Sequence, residues 1–252
     1  MPGTRSSSVA FLSALCLLLG VQQAAANILN GSFETGDTSE WSTVGDVSVT
    51  DSSFGVDPID GTYQILLSTN GSSVSETESA MGLTSGTIQS IFDAEVGGLG
   101  SGPTEGAAFQ QTFYVGENGD SISINYNLLT NASVPEETST DFIWWYLDRP
   151  TGSDESGVFA HVNEDIFSSS ATPDYDWETG YQSIRLRVNQ PGTYTLTIGI
   201  NDVDDTYTDS ATVFDYFFLR KAPEPNTFFL FGAGLLGLAF HARWAKGSGR
   251  KS

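Results

Sequence analysis

The chain has 252 residues and a net charge of −21, from 31 Asp and Glu against 10 Lys and Arg. Every acidic residue but Glu224 lies between Asn27 and Ala222, where the cations are only Arg149, Arg185, Arg187, Arg220 and Lys221, a balance of −25 with Lys221 counted. Such a field repels nucleic acid and anionic lipid and favours divalent cations and neutral ligands.

At the N-terminus, Arg5, the apolar run from Val9 to Val21 and the small residues Ala24-Ala25-Ala26 make a secretory signal peptide over residues 1–26. Cys16 is the only cysteine and sits in that apolar run after Leu15, so it leaves with the peptide. The mature chain then has neither disulfides nor thiol chemistry, and its core rests on burial or on an ion.

Residues 27–221 suit one domain. It opens with "NILNGSFETGDTSEW", a short strand, a polar turn and Trp41. "LSTNGSSVSETESAMGLTSGTIQS" and "GGLGSGPTEG" read as loops, as do "NASVPEETST" and "RPTGSDESG". "FQQTFYV" and "SISINYNLL" alternate apolar with polar and are joined by "GENGD", whose Asn118-Gly119 predicts a hairpin. "SIRLRV" and "YTLTIGI" alternate likewise across "NQPGT", where Pro191-Gly192 predicts a second hairpin. "DFIWWYL" and "ATVFDYFFL" are apolar on both faces and read as central strands. No segment shows four turns of amphipathic helix, so the fold class is all-β: an antiparallel two-sheet sandwich of the jelly-roll kind.

Asp215 falls, by strict alternation, on the face of Val213, Phe217 and Leu219, where a carboxylate needs a sheet edge or a neutralising partner such as an ion. Asp202, Asp204, Asp205 and Asp209 lack the glycine and closing glutamate of an EF-hand and read as a solvated acidic loop, with loose Ca²⁺ binding the alternative. For a sugar ligand, aromatic rings stack on pyranose faces while neighbouring polar groups take the hydroxyls. Trp41, Trp144, Trp145, Tyr146, Tyr175 and Trp177 are the pool, with Trp177 in "PDYDWETGY" the best exposed platform and Tyr175 and Trp145 its companions. Enzyme motifs are absent: His161 is the only histidine of residues 27–221, and Glu136-Glu137 and Glu164-Asp165 are adjacent in sequence, which turns strand side chains to opposite faces. The chain is therefore not expected to be an enzyme.

Residues 222–252 hold Pro223-Glu224-Pro225, an apolar helix over 227–242, and Arg243, Lys246, Arg250 and Lys251. Sixteen helical residues reach about 24 Å, short of a bilayer core of about 30 Å, so the segment is marginal as a permanent anchor. The basic cluster after it fits a cytoplasmic end.

This tripartite tail resembles the PEP-CTERM sorting signal of Gram-negative, biofilm-forming bacteria. The resemblance implies an exosortase as partner, after signal peptidase, with transient anchoring in the inner membrane by the tail helix and removal near Pro223-Glu224-Pro225. Delivery to the cell surface, outer membrane or extracellular matrix follows; a plain membrane anchor is the alternative. Asn30-Gly31-Ser32-Phe33-Glu34 with Trp41, "AAFQQTF" and "DSATVFDYFFL" resemble the strands of galactose-binding-like jelly rolls, the fold of many carbohydrate-binding modules. That resemblance implies an extracellular polysaccharide as partner and a structural Ca²⁺ on Glu34 and Asp215; without an ion, Glu34 is a turn residue and Asp215 an edge residue. Three functions fit: a matrix protein that binds polysaccharide, an acidic structural matrix protein without a ligand, and, weakest, a secreted glycan hydrolase.

Overall fold

Two antiparallel sheets lie face to face in the computed structural model, which describes residues 28–97, 101–116, 120–132, 140–162, 167–188, 190–204 and 209–220. The predicted signal peptide, Pro223-Glu224-Pro225 and the tail helix lie outside these residues. In chain order the strands are β1 (Ser42–Val44), β2 (Val47–Thr50), β3 (Gln64–Ser68), β4 (Ser72–Ser73), β5 (Pro103–Val115), β6 (Asp120–Thr130), β7 (Phe142–Asp148), β8 (Glu155–His161), β9 (Ser168–Ser169), β10 (Trp177–Glu178), β11 (Gln182–Val188), β12 (Gly192–Val203) and β13 (Ser210–Arg220). Two helices, α1 (Val74–Ala80) and α2 (Thr87–Glu95), stand between β4 and β5.

The first sheet runs β1-β5-β12-β7-β8 with β4 also on β5; the second runs β2-β3-β13-β6-β10-β9 with β11 also on β6. Their facing sides fill the core because the alternating residues are apolar: Ala107, Phe109 and Phe113 on β5, Ile122 and Ile124 on β6, Tyr194, Leu196, Ile198 and Ile200 on β12, and Phe214, Phe217 and Leu219 on β13. Each such side chain taken from water contributes roughly 1.5–3 kcal/mol. The opening segment, predicted to begin with a short strand, is instead a series of turns as far as Trp41, with the first strand starting only at Ser42, and it closes one end of this core. Phe33 is fully buried against Trp41, Phe109 and Phe217, with ring centroids 5.7, 6.3 and 6.0 Å away. Gly31 lets that turn touch the last strand: a Cβ there would lie 2.6 Å from the Phe217 carbonyl oxygen, and the Phe217 amide donates to the Gly31 carbonyl at 2.8 Å. The first and last predicted pieces of the domain thus do meet.

Three expectations need correction. Neither predicted hairpin exists, because β5 and β6 belong to different sheets, as do β11 and β12. A sandwich corner and a hairpin demand the same short polar turn and the same alternation, so local chemistry could not separate them. The observed hairpins are β2–β3, β7–β8 and β9–β10. Second, the predicted loop over 67–90 contains α1 and the start of α2. Ser73 and Glu76 form a capping box at α1, and Ile88, Ile91 and Phe92, spaced for one helical face, bury themselves against the outside of the first sheet. Third, a bulge at Tyr216, whose φ is +58°, breaks the alternation in β13. Asp215 shares the outer face with Val213, while Phe217 and Leu219 return to the core. No helix among the described residues is long and apolar enough to cross a membrane.

Candidate functional site

The outer face of the first sheet is built in rows, each taking one residue from β7, β12 and β5. Trp144, Gly199 and Ala108 form an apolar row. The next two rows, Tyr146-Thr197-Gln110 and Asp148-Thr195-Thr112, are polar. One step further Thr193 faces Tyr114, which is 51% exposed. Helix α2 covers the apolar row, packing Ile88, Ile91 and Phe92 with Trp144, Phe142 and Ala108. It is held by Glu78 of α1, whose carboxylate accepts from the Gly86 and Ile88 amides, both at 2.9 Å, where a helix N-terminus favours an anion. No helix lies over the polar rows, although Thr197 itself is buried beneath Gln110.

Two clefts open there. One, of about 370 Å³, has Gln110, Thr112, Thr195, Thr197, Tyr146, Asp148 and Asp154 on its floor and sides and Met81, Gly82 and Leu83 as a wall. The other, of about 340 Å³, runs between α2 and β8 past Thr84, Ser90, Glu95, Ser156 and Gly157. Tyr146 lines both and joins them into one groove. Its hydroxyl donates to Asp154 Oδ2 at 2.6 Å, and Asp154 Oδ1 accepts from the Arg149 amide at 3.2 Å. The Asp154 carboxylate, with some burial, pushes the Tyr146 phenol up to about 12. Loss of water and then the charge of Asp154 raise Asp148 above the usual carboxylate range. Gln110 Nε2 donates to the Thr197 hydroxyl at 2.7 Å and to the Met81 carbonyl at 2.9 Å, and the Thr112 and Thr195 hydroxyls lie 3.0 Å apart. The groove therefore offers hydroxyls, a primary amide and carboxylates beside an aromatic ring, the mixture that recognises a polyhydroxylated ligand.

The predicted ligand residues are dispersed. Trp177 lies on β10, paired between Thr130 of β6 and Ser169 of β9, and is 36% exposed. Tyr175 is half-buried in a small cluster outside the second sheet, 6.5 Å from Phe54, and burial with the charges of Asp209, Asp174 and Asp46 pushes its phenol up to about 12. Trp145 belongs to the other sheet and stacks on Phe159 at 6.3 Å, against the core. Of the acidic run, Asp202 is buried in β12 rather than solvated, Asp204 accepts from the Ser101 amide, and Asp205 lies outside the described residues. His161 ends β8 and is buried.

Glu34 and Asp215 converge on one loop. Glu34 Oε1 accepts from the Thr62 and Tyr63 amides at 2.8 and 2.9 Å, and Asp215 Oδ2 accepts from the Ile59 and Asp60 amides, both at 2.8 Å. Asp215 Oδ1 takes the Tyr216 amide at 2.6 Å. Five peptide N–H groups thus offset the two charges, and the four from Ile59, Asp60, Thr62 and Tyr63 clamp residues 59–63 to the sandwich. Asp215 has no exposed surface, and burial outweighs its hydrogen bonds, raising its carboxyl to about 6. A cation at this pair would have to use the lone pairs that the amides leave.

The groove around Tyr146 was missed in the sequence, although "WWYLDRPTGSD" contains it. Trp144, Tyr146 and Asp148 alternate onto one face, and a six-residue step brings Asp154 back across the turn. Its partners on β5 and β12 carry no local mark, since they are brought there by register alone.

Residues 221–243 match the PEP-CTERM protein-sorting motif. Solved structures with a similar chain course include TmCBM61, determined in complex with beta-1,4-galactotriose, at 13% identity and a TM-score of 0.45, covering 79% of this chain and 100% of that one. A xylan-binding domain from CBM 22 is 14% identical over 79% of this chain and 97% of its own, with a TM-score of 0.37. Tailspike protein 4 of bacteriophage CBA120, in its enzymatically active domain, is 13% identical with a TM-score of 0.36 and covers 77% of this chain and 21% of that one. None of these scores is high enough to transfer a ligand. Curated proteins give no match.

Proposed function

We propose that this chain, directed to the cell envelope by its PEP-CTERM motif, is a polysaccharide-binding protein of the cell surface or extracellular matrix, and that the Tyr146 groove holds the glycan. The motif at 221–243 supports export and exosortase processing. The observation that carries the glycan reading is the row geometry: a ring, two carboxylates, the hydroxyls of Thr112 and Thr195 and a part-exposed glutamine amide on a sheet face that no helix covers. The reading is of binding without hydrolysis.

The test is calorimetry of the protein against a panel of neutral polysaccharides. Tyr146→Ala removes the ring shared by both clefts and is expected to weaken binding about 10- to 100-fold, since a stacked ring with its hydrogen bond contributes roughly 1–3 kcal/mol. Tyr146→Phe keeps the ring and should lose far less. Equal affinity of wild type and Tyr146→Ala would remove the groove from the account. A second reading puts the ligand on Trp177, favoured by that ring's exposure at the edge of the second sheet. We also propose Ca²⁺ as a structural cofactor at Glu34 and Asp215. Support comes from the convergence of both carboxylates on residues 59–63 and from the raised carboxyl of Asp215, which a cation would relieve.

A further inference from the structure

The four arginines of the described residues are unevenly spread. Arg149 pairs with Glu155 at 2.9 Å beside the groove. The other three stand together on the outside of the second sheet, without an ion pair to another described residue. Register sets them: Arg185 of β11 faces Ser123 of β6, which faces Phe218 of β13, and Arg187 faces Ser121, which faces Arg220. Directly paired residues share a face. Their chain neighbours Ile122, Leu186 and Leu219 fill the core, so this strip looks outward. All three arginines are exposed, Phe218 is 47% exposed, and its ring lies parallel to that of Tyr216 at 5.8 Å and 10°. The bulge at Tyr216 is what turns Phe218 and Arg220 outward, since unbroken alternation would put them on the core face with Phe214.

In a body this acidic, three unpaired guanidinium groups around an exposed ring pair form the one strip complementary to an anion among the described residues. We propose that it is a second binding surface, separate from the Tyr146 groove, for a linear acidic polysaccharide. The flat rings suit the apolar faces of sugar rings, and planar guanidinium forks suit carboxylates in two-bonded geometry. The backbones of Arg187 and Arg220 are two strands apart, about 10 Å, and Arg185 and Arg187 are about 7 Å apart along their strand, so the three charges mark the corners of a compact patch about as wide as one sugar chain. A narrow ligand is also what the long-range field permits. An anionic membrane or a second copy of the chain presents an extended negative surface to the whole acidic body and is repelled. A single glycan chain meets the strip within a Debye length of about 8 Å, where the arginines dominate.

The experiment measures binding of the intact protein to polygalacturonate and to the same polymer with its carboxylates methyl-esterified. Binding to the acid form is expected, with loss on esterification and weakening as salt rises from low to physiological strength. Combining Arg185→Gln, Arg187→Gln and Arg220→Gln should reduce it about ten-fold or more, and Phe218→Ala should reduce it several-fold. These side chains are exposed, so unchanged melting temperatures and unchanged binding of a neutral glycan would show an intact fold. Equal binding to the esterified polymer, or indifference to the arginine substitutions, overturns the proposal. So does an arginine-dependent preference for phosphatidylglycerol over phosphatidylcholine vesicles, or arginine-dependent self-association, in place of polyuronate binding.

Discussion

Gly199→Val is expected to prevent the domain from folding. A Cβ at Gly199 would lie 2.6 Å from Trp144 Cε2 and 2.9 Å from the Ala107 carbonyl oxygen. Neither can yield. Trp144 is fully buried under α2 and its Nε1 donates to Asn201 Oδ1 at 2.7 Å, while Ala107 is in the middle of β5. Overpacking of this kind against backbone exceeds the usual 1–3 kcal/mol, and displacing a buried tryptophan adds about 3–5 kcal/mol, together comparable with the whole stability of a domain. Circular dichroism and thermal melting read the outcome. A variant that melts within a few degrees of wild type would mean that Trp144 does not lie across Gly199, and with it the covered half of the first sheet would be misassigned.

Asp215→Ala should be the next most damaging change. It strips three peptide N–H groups of their acceptor and releases the loop at residues 59–60 from β13. The loss of these charge-assisted bonds outweighs the relief of burying no carboxylate, and a net cost of about 3 kcal/mol, or a melting temperature lower by about 6–12 °C, is expected. The wild type carries a pH signature as well. Its folded-state value of about 6 lies above the ordinary aspartate value of 3.8, so the native state holds a proton that the unfolded chain gives up. That contribution is complete below pH 3.8 and disappears as pH rises through about 6, amounting to at most about 3 kcal/mol at 1.36 kcal/mol per unit. Urea titrations between these limits should show the slope in wild type and its absence in Asp215→Ala. If Ca²⁺ sits at Glu34 and Asp215, adding it at pH 7 raises the wild-type melting temperature and leaves Asp215→Ala unmoved; no rise in wild type would remove the ion.

What the sequence made legible is whatever depends on neighbours along the chain. "SISINYNLL" and "YTLTIGI" alternate and are strands, and the parity of "ATVFDYFFL" holds as far as Asp215. "NGSFE" and the last strand proved to be partners through Gly31 and Phe217. The misreadings share one cause, dependence on contacts remote in sequence. Whether Pro191-Gly192 turns back within a sheet or crosses to the other is decided by what β11 and β12 find as partners, β6 in one case and β5 and β7 in the other. The bulge at Tyr216 needs a left-handed residue that no glycine announces. For the groove, Tyr146 was visible as an aromatic but Gln110 and Thr197, its row partners, are ordinary strand residues until the register is known.

The central claim, that an exported sandwich grips a glycan in the Tyr146 groove, is tested most directly by amide hydrogen exchange of the intact protein with and without a saturating polysaccharide. Protection is expected in the link from Met81 to Thr87 that walls the groove and in the β7–β8 turn from Asp148 to Glu155, with no change around Trp177. Protection at residues 174–178 with none at the β7–β8 turn, or no protection with any glycan that binds, would contradict it.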